Sequence, residues 1–148
     1  MLKGHLIHPQ ILQALGRAGH GSRILIADGN YPASTTLGPN ATLVSLNLAP
    51  GIVNATDVLR ALATAVPIEA AAVMATLKDG PYAMPEDPPI WAEFATILAD
   101  AGFNDPLQQI ERYAFYEAAA QPHVALTLAT AEQRIYANLL LTIGVVQP

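Results

Sequence analysis

A histidine and an aspartate stand at the two ends of one short apolar segment. His20 lies between Gly19 and Gly21, and Asp28 directly follows the apolar run 24–27. An imidazole has an unperturbed pKa of about 6.5 and can give or take a proton at neutral pH, while a carboxylate can accept one. The pair therefore indicates acid–base chemistry. Two structural interpretations stay open: a turn histidine bonded to a backbone carbonyl, and an aspartate that closes its own turn.

Two later stretches offer hydrogen-bonding groups. Arg112 stands among aromatic residues in a chain with only seven basic residues, and its guanidinium can hold hydroxyl groups or a carboxylate. Tyr136 and Asn138 lie two positions apart, which puts both on one side of an extended segment and suits hydrogen bonding to a polyol. The alternatives are a surface ion pair of Arg112 with Glu111 or Glu117, an interface tyrosine and a turn asparagine.

Composition limits the partners. The net charge is -5 and no basic cluster occurs, so we expect no nucleic-acid partner. Hydrophobic residues make up 52% of the chain and charged residues 13%, and the mean hydropathy is +0.32. A 148-residue monomer cannot easily bury that much apolar surface, so we expect a homo-oligomer.

Several classes of site are disfavoured. There is no cysteine, which removes disulfides and thiolate nucleophiles. Gly16, Gly19 and Gly21 precede a strand, whereas a nucleotide-binding loop follows one. The four histidines show no metal-binding spacing, so we expect no metal site, with a metal site between subunits as the alternative. No signal core or bilayer-length apolar stretch occurs, which predicts a cytoplasmic protein without a membrane partner.

Hydrophobic periodicity predicts alternating strands and helices. Helices are expected over residues 9–19, 54–66 and 89–102, and strands over 23–28, 41–48, 68–77, 108–114, 123–130 and 138–143, with a helical turn over 115–121. We interpret residues 79–89 as a lid or an interface arm. The pattern predicts a single α/β domain over residues 1–148, with three layers and a mostly parallel sheet covered by helices on both faces. Ligands of such sheets bind beyond the carboxyl ends of the strands, where Asp28 lies.

These stretches together resemble the family of D-ribose pyranases and L-fucose mutarotases, which interconvert forms of sugars. The similarity covers almost the whole chain and rests on Met1-Leu2-Lys3, Gly19-His20-Gly21, Asp28-Gly29-Asn30-Tyr31-Pro32-Ala33, Arg112-Tyr113-Ala114-Phe115-Tyr116-Glu117, and Tyr136-Ala137-Asn138 before Gly144-Val145. It implies a cofactor-free enzyme with an α/β fold, commonly a ring-shaped decamer with active sites at subunit contacts.

The resemblance also implies roles for individual residues. His20 corresponds to the proton donor, and Asp28 to a carboxylate that accepts the anomeric proton or orients the histidine and a sugar hydroxyl. Arg112 and the segment Tyr136-Ala137-Asn138 correspond to groups that bind the monosaccharide.

The resemblance leaves the sugar open. The run from Arg112 to Glu117 is similar to the fucose branch, whereas Ala137 is common in the pyranase branch. Ser22 and Thr142-Ile143 depart from the family pattern. We expect an isomerase that interconverts the anomers of L-fucose or a similar aldose by acid–base assisted ring opening and closure. The alternatives are a D-ribose pyranase and a non-catalytic sugar-binding protein associated with transport.

Overall fold

The computed structural model describes all 148 residues, Met1–Pro148, as six strands and four helices. None of the helices is long and apolar enough to cross a membrane. In chain order the elements are α1 Pro9–Arg17, β1 Arg23–Ala27, β2 Thr42–Ser45, α2 Ala55–Ala63, β3 Ile68–Met74, α3 Pro89–Asp100, β4 Gln108–Ile110, α4 Arg112–Ala119, β5 Val124–Ala129 and β6 Leu139–Ile143.

The six strands form one sheet in the order β2-β5-β1-β6-β3-β4. β6 is antiparallel to both of its neighbours, β1 and β3, and the other three pairings are parallel. The predicted α/β fold with a mostly parallel sheet is therefore confirmed. Because β6 alone runs in the opposite direction, its first residue, Leu139, lies beside Ile26 and Val73 near the ends of β1 and β3. The beginning of one strand thus meets the ends of two others.

Helices cover both faces of the sheet, but unequally. On one face, α1, α2 and α3 pack over a core of 25 buried residues that includes Leu59, Phe94 and Leu126. On the other face, α4 packs over a core of only nine buried residues, to which it contributes Phe115 and Ala119. One short helix therefore carries most of the cover on that second face.

The start of α4 differs from the sequence prediction. We expected a strand over 108–114, but β4 ends at Ile110 and the helix begins at Arg112. The carboxylate of Glu111 accepts hydrogen bonds from the backbone N–H groups of Tyr113 and Ala114, at 2.9 and 3.1 Å. This N-cap satisfies donors that a new helix leaves free, and it ends the strand. The apolar run after Arg112 suits either structure, so the cap decides between them.

A buried carboxylate joins the β5–β6 connection to two helices. Glu132 is only 2% exposed and forms two parallel hydrogen bonds with the guanidinium of Arg134, each 2.9 Å long. Arg134 also donates to Glu93 of α3 at 2.7 Å, and the backbone N–H of Ala55 at the start of α2 is hydrogen-bonded to Glu132. Burial raises the pKa of Glu132, but the hydrogen bonds and charge of Arg134 outweigh burial, so the pKa is lowered overall.

We expect Glu132→Gln to destabilise the fold by about 1.5–3 kcal/mol at pH 7, because charge-assisted hydrogen bonds are lost. A lowered pKa means that this stabilisation is present above the unfolded value, about 4.3, and disappears as the pH falls through the folded value. Urea unfolding of both proteins at fixed concentration should therefore show a difference that shrinks below pH 4. Arg60→Gln, which breaks the exposed pair with Asp57, is the control and should cost less than about 1 kcal/mol. A difference that is as large at pH 3 as at pH 7 would contradict this account.

Candidate active site

A cavity of about 280 Å³ opens at the edge where β1 and β3 end and β6 begins. Residues from five separate segments line it: Asp28, Asn30, Tyr31, Met74, Tyr82, Arg112, Tyr116, Ile135, Tyr136 and Asn138. The structure has Asp28 at the carboxyl end of β1, on the ligand-binding edge of the sheet, as the sequence predicts. Four of the predicted site residues, Asp28, Arg112, Tyr136 and Asn138, meet in this one cavity.

The centre of the cavity wall is a reciprocal pairing between Asp28 and Asn138. The Oδ1 atom of Asn138 accepts a hydrogen bond from the backbone N–H of Asp28 at 2.8 Å. Its Nδ2 atom donates to Oδ2 of the Asp28 carboxylate at 3.0 Å. Since an amide has one acceptor end and one donor end, the two bonds fix the orientation of Asn138 and hold the carboxylate in one position.

The Asp28 carboxylate is buried without a cationic partner. The residue is 5% exposed, and its carboxylate accepts hydrogen bonds from the backbone N–H of Asn30 at 3.0 Å and from Asn138. Burial raises the pKa of Asp28, and the hydrogen bonds, including one from the backbone of Ala137, offset only part of that rise. A carboxylate with a raised pKa is a stronger base than an ordinary one, which is the property a proton acceptor needs.

Tyr136 has a strained backbone conformation, and its hydroxyl proton is already engaged in a hydrogen bond. Its φ of 58° lies in the left-handed region, which costs a non-glycine residue about 1–3 kcal/mol. The hydroxyl group donates to the carbonyl of Tyr82 at 2.7 Å and accepts from the N–H of Leu77 at 3.1 Å. The expectation that Tyr136 and Asn138 share one side of an extended segment is wrong, because Tyr136 lies in a turn. Both reach the same cavity through that turn.

Arg112 is the cation of the cavity. It forms no salt bridge with Glu111 or Glu117, because the Glu111 carboxylate caps its own helix. The guanidinium lies 5.9 Å from the centre of the Tyr116 ring, one turn further along α4. The donors of a planar guanidinium are thus available to a ligand beside an aromatic wall.

His20 lies at the opposite end of β1 from Asp28. It precedes β1, whereas Asp28 follows it, and the five residues of β1 span about 17 Å at roughly 3.3 Å per residue. The Nε2 atom of His20 lies 3.0 and 2.9 Å from the two carboxylate oxygens of Glu69. Both side chains are partly open to solvent, at 59% and 41% exposure. Within one chain, His20 and Asp28 therefore belong to different sites.

Comparison with known proteins assigns the chain to a family. The profile of the RbsD / FucU transport protein family matches residues 1–146. The chain belongs to this family. It is 35% identical to the fucose mutarotase of Homo sapiens, with 95% of this chain and 90% of that protein covered.

Solved structures in the same family have the same fold. The fucose mutarotase of Streptococcus pneumoniae in complex with L-fucose superposes with a TM-score of 0.80 at 26% identity, covering 95% of each chain. FucU of Bifidobacterium longum gives a TM-score of 0.78 at 33% identity, covering 95% of this chain and 96% of that one. RbsD of Bacillus subtilis, complexed with D-ribose, shares the fold at 21% identity and a TM-score of 0.76, covering 99% of this chain and 100% of that one.

Sequence reasoning missed two residues that the structure places beside predicted site residues. Glu69, the partner of His20, was not singled out because the two are 49 positions apart. Met74 is 4% exposed and belongs to the core beneath α4, yet it also lines the cavity. One signal was available: the chain has five tyrosines and four of them, all but Tyr113, line the cavity.

We expect Asp28→Asn to gain stability relative to the wild type as the pH rises from about 4 to 7. A raised pKa means that the folded chain disfavours the ionised carboxylate, so Asp28 costs folding free energy above the unfolded pKa, about 3.9, and the cost grows until the folded pKa is passed. Asparagine has no charge to bury. Urea unfolding across this pH range at fixed protein concentration measures the difference, with the exposed Asp105→Asn as the matched removal of one charge. A constant difference would contradict the raised pKa.

Proposed function

We propose that this member of the RbsD / FucU family is a cytoplasmic mutarotase that interconverts the anomers of L-fucose or a closely similar aldose. One observation carries the proposal: a buried carboxylate of raised pKa lies among hydrogen-bonding groups in a cavity of small-molecule size. The chain that holds it is similar over nearly its whole length to proteins named fucose mutarotase.

The reaction needs two proton transfers. Asp28 removes the proton from the anomeric hydroxyl while an acid delivers one to the ring oxygen. The bond between the anomeric carbon and the ring oxygen then breaks and leaves an open aldehyde. After rotation about the adjacent carbon–carbon bond, the hydroxyl formed from the ring oxygen adds to the other face of the aldehyde, and the two protons return. No net oxidation or group transfer occurs, so positioned acid and base groups are sufficient.

His20 of a second copy of the chain supplies the acid in this proposal. Its own chain holds it at the opposite edge of the sheet from Asp28, while the apolar composition and the resemblance favour a closed ring, commonly a decamer. The contact with Glu69 through Nε2 orients the imidazole and leaves Nδ1 to face the sugar. Each chain would thus contribute Asp28 to one site and the His20–Glu69 pair to another.

The other cavity residues divide into binding and positioning groups. Arg112 has unpaired donors and is the main group for sugar hydroxyls. Asn138 and the backbone N–H of Ala137 mainly hold the Asp28 carboxylate, and Asn138 keeps one further N–H for the sugar. Tyr136 has its proton engaged with Tyr82 and can offer the sugar only a lone pair.

The test of activity is the rate of anomeric exchange of L-fucose, measured by saturation-transfer proton NMR with and without catalytic amounts of protein. We expect acceleration by the wild type and a loss of about 100-fold or more in Asp28→Asn and in His20→Ala, since positioned acid–base groups contribute about 10² to 10⁴ in rate. His123→Ala, an exposed histidine outside the cavity, is the control and should keep full activity.

The same assay with D-ribose separates the alternatives. Faster pyranose–furanose exchange of ribose without an effect on fucose would assign a pyranase. Sugar binding without acceleration of either exchange would assign a binding protein, and such a protein would tolerate His20→Gln.

Mixing two inactive variants tests the shared site. If Asp28 and His20 meet only between chains, oligomers reassembled from equal amounts of Asp28→Asn and His20→Ala should regain about one quarter of the active sites. A site is intact only when its Asp28 comes from a His20→Ala chain and its His20 comes from an Asp28→Asn chain, and each of these has a chance of about one half. If both groups came from one chain, every site in the mixture would carry a lesion. Activity that stays at the level of the separate variants after confirmed subunit exchange would therefore rule out the shared site.

A further inference from the structure

The loop between β3 and α3 places an aromatic ring in the cavity wall. Residues 75–88 form this loop, and the proposed proton transfers use none of them. Tyr82, near its middle, lines the cavity beside Tyr136 although it is 66% exposed. An exposed aromatic ring at the mouth of a cavity that also holds hydrogen-bonding groups is the arrangement expected when a ligand completes the burial of the ring.

The backbone of the loop is held in place around this ring. The carbonyl of Tyr82 accepts the 2.7 Å hydrogen bond from the Tyr136 hydroxyl, which also receives the N–H of Leu77. The N–H of Met84 donates to the carbonyl of Leu77 at 2.8 Å, and the Lys78 ammonium group donates to the carbonyl of Met84 at 3.4 Å. The backbone that carries the ring is therefore held in place before any ligand arrives, which lowers the entropic cost of binding.

The cavity has two chemically different sides. Asp28, Asn30, Arg112 and Asn138 provide charges and hydrogen-bonding groups, whereas Tyr31, Met74, Tyr82, Tyr116 and Ile135 provide rings and aliphatic surface. A pyranose has the same division, because its hydroxyl groups point outward from the ring edge and its axial C–H groups form an apolar face. An aromatic face carries negative charge density and attracts polarised C–H groups.

We propose that Tyr82 is a substrate-binding residue whose ring covers the C–H face of the sugar and closes the cavity on its solvent side. The inference rests on the proposed function and deepens it: the protein favours monosaccharides with an unbroken apolar face, such as a 6-deoxy sugar. Tyr82 takes no part in proton transfer. Its contribution is affinity, which the ring supplies without the hydroxyl.

The test is the dissociation constant for L-fucose by isothermal titration calorimetry, together with the exchange assay on the intact oligomer. We expect Tyr82→Ala to raise Kd and KM by about 3- to 10-fold, as loss of an aromatic contact implies, with kcat within about two-fold of the wild type. Tyr82→Phe should bind like the wild type. Tyr113→Ala removes a tyrosine of similar exposure, 71%, that lies outside the cavity, and should also bind like the wild type.

Unchanged affinity in Tyr82→Ala would overturn the inference, and so would an equal loss in Tyr82→Phe. Disassembly of the Tyr82→Ala oligomer in sedimentation velocity would also overturn it, because the ring would then be an interface group. The proposed function fails separately, through the absence of accelerated exchange in the wild type. In that case a raised Kd in Tyr82→Ala would still support the contact with the sugar.

Discussion

The pairing of Asn138 with Asp28 is the contact on which the cavity depends. It joins a residue at the end of β1 to one just before β6, 110 positions later, through both ends of a single amide. The pairing is possible only because β6 runs against its neighbours and begins where β1 ends. The same contact sets the path of the chain that carries Ala137 and Tyr136, so one side chain positions both the carboxylate and the neighbouring wall.

The pKa values of two buried carboxylates are shifted in opposite directions. Glu132 is matched by a two-bond contact with Arg134, which lowers its pKa and makes the ionised form contribute to stability. Asp28 is nearly as buried but is paired only with neutral groups, so burial dominates and its pKa is raised. The first arrangement stabilises the fold, and the second keeps a buried carboxylate of raised pKa at a cost to it. The left-handed backbone of Tyr136 adds a further cost at the same cavity.

The sequence predicted the features that depend on local residue patterns, but it did not predict contacts between segments that are distant in the chain. The apolar run before Asp28 correctly predicted a buried strand with a polar residue at the ligand-binding edge, and the alternation of elements predicted the α/β class. The helix at Arg112 was missed because its start depends on one capping carboxylate rather than on periodicity. The direction of β6 and the contact of His20 with Glu69 follow from chain topology, which no local pattern encodes.

Helix α4 has two faces that serve different parts of the molecule. Phe115 and Ala119 press against the thinly covered side of the sheet, while Arg112 and Tyr116 border the cavity from the same two turns. A rigid helix cannot turn one face without turning the other, and only nine residues form the core beneath it. A change in packing under α4 is therefore transmitted directly to the cavity as a small rotation of its cation. The core beneath α4, including residues such as Ala119 that do not line the cavity, therefore helps to set the position of Arg112.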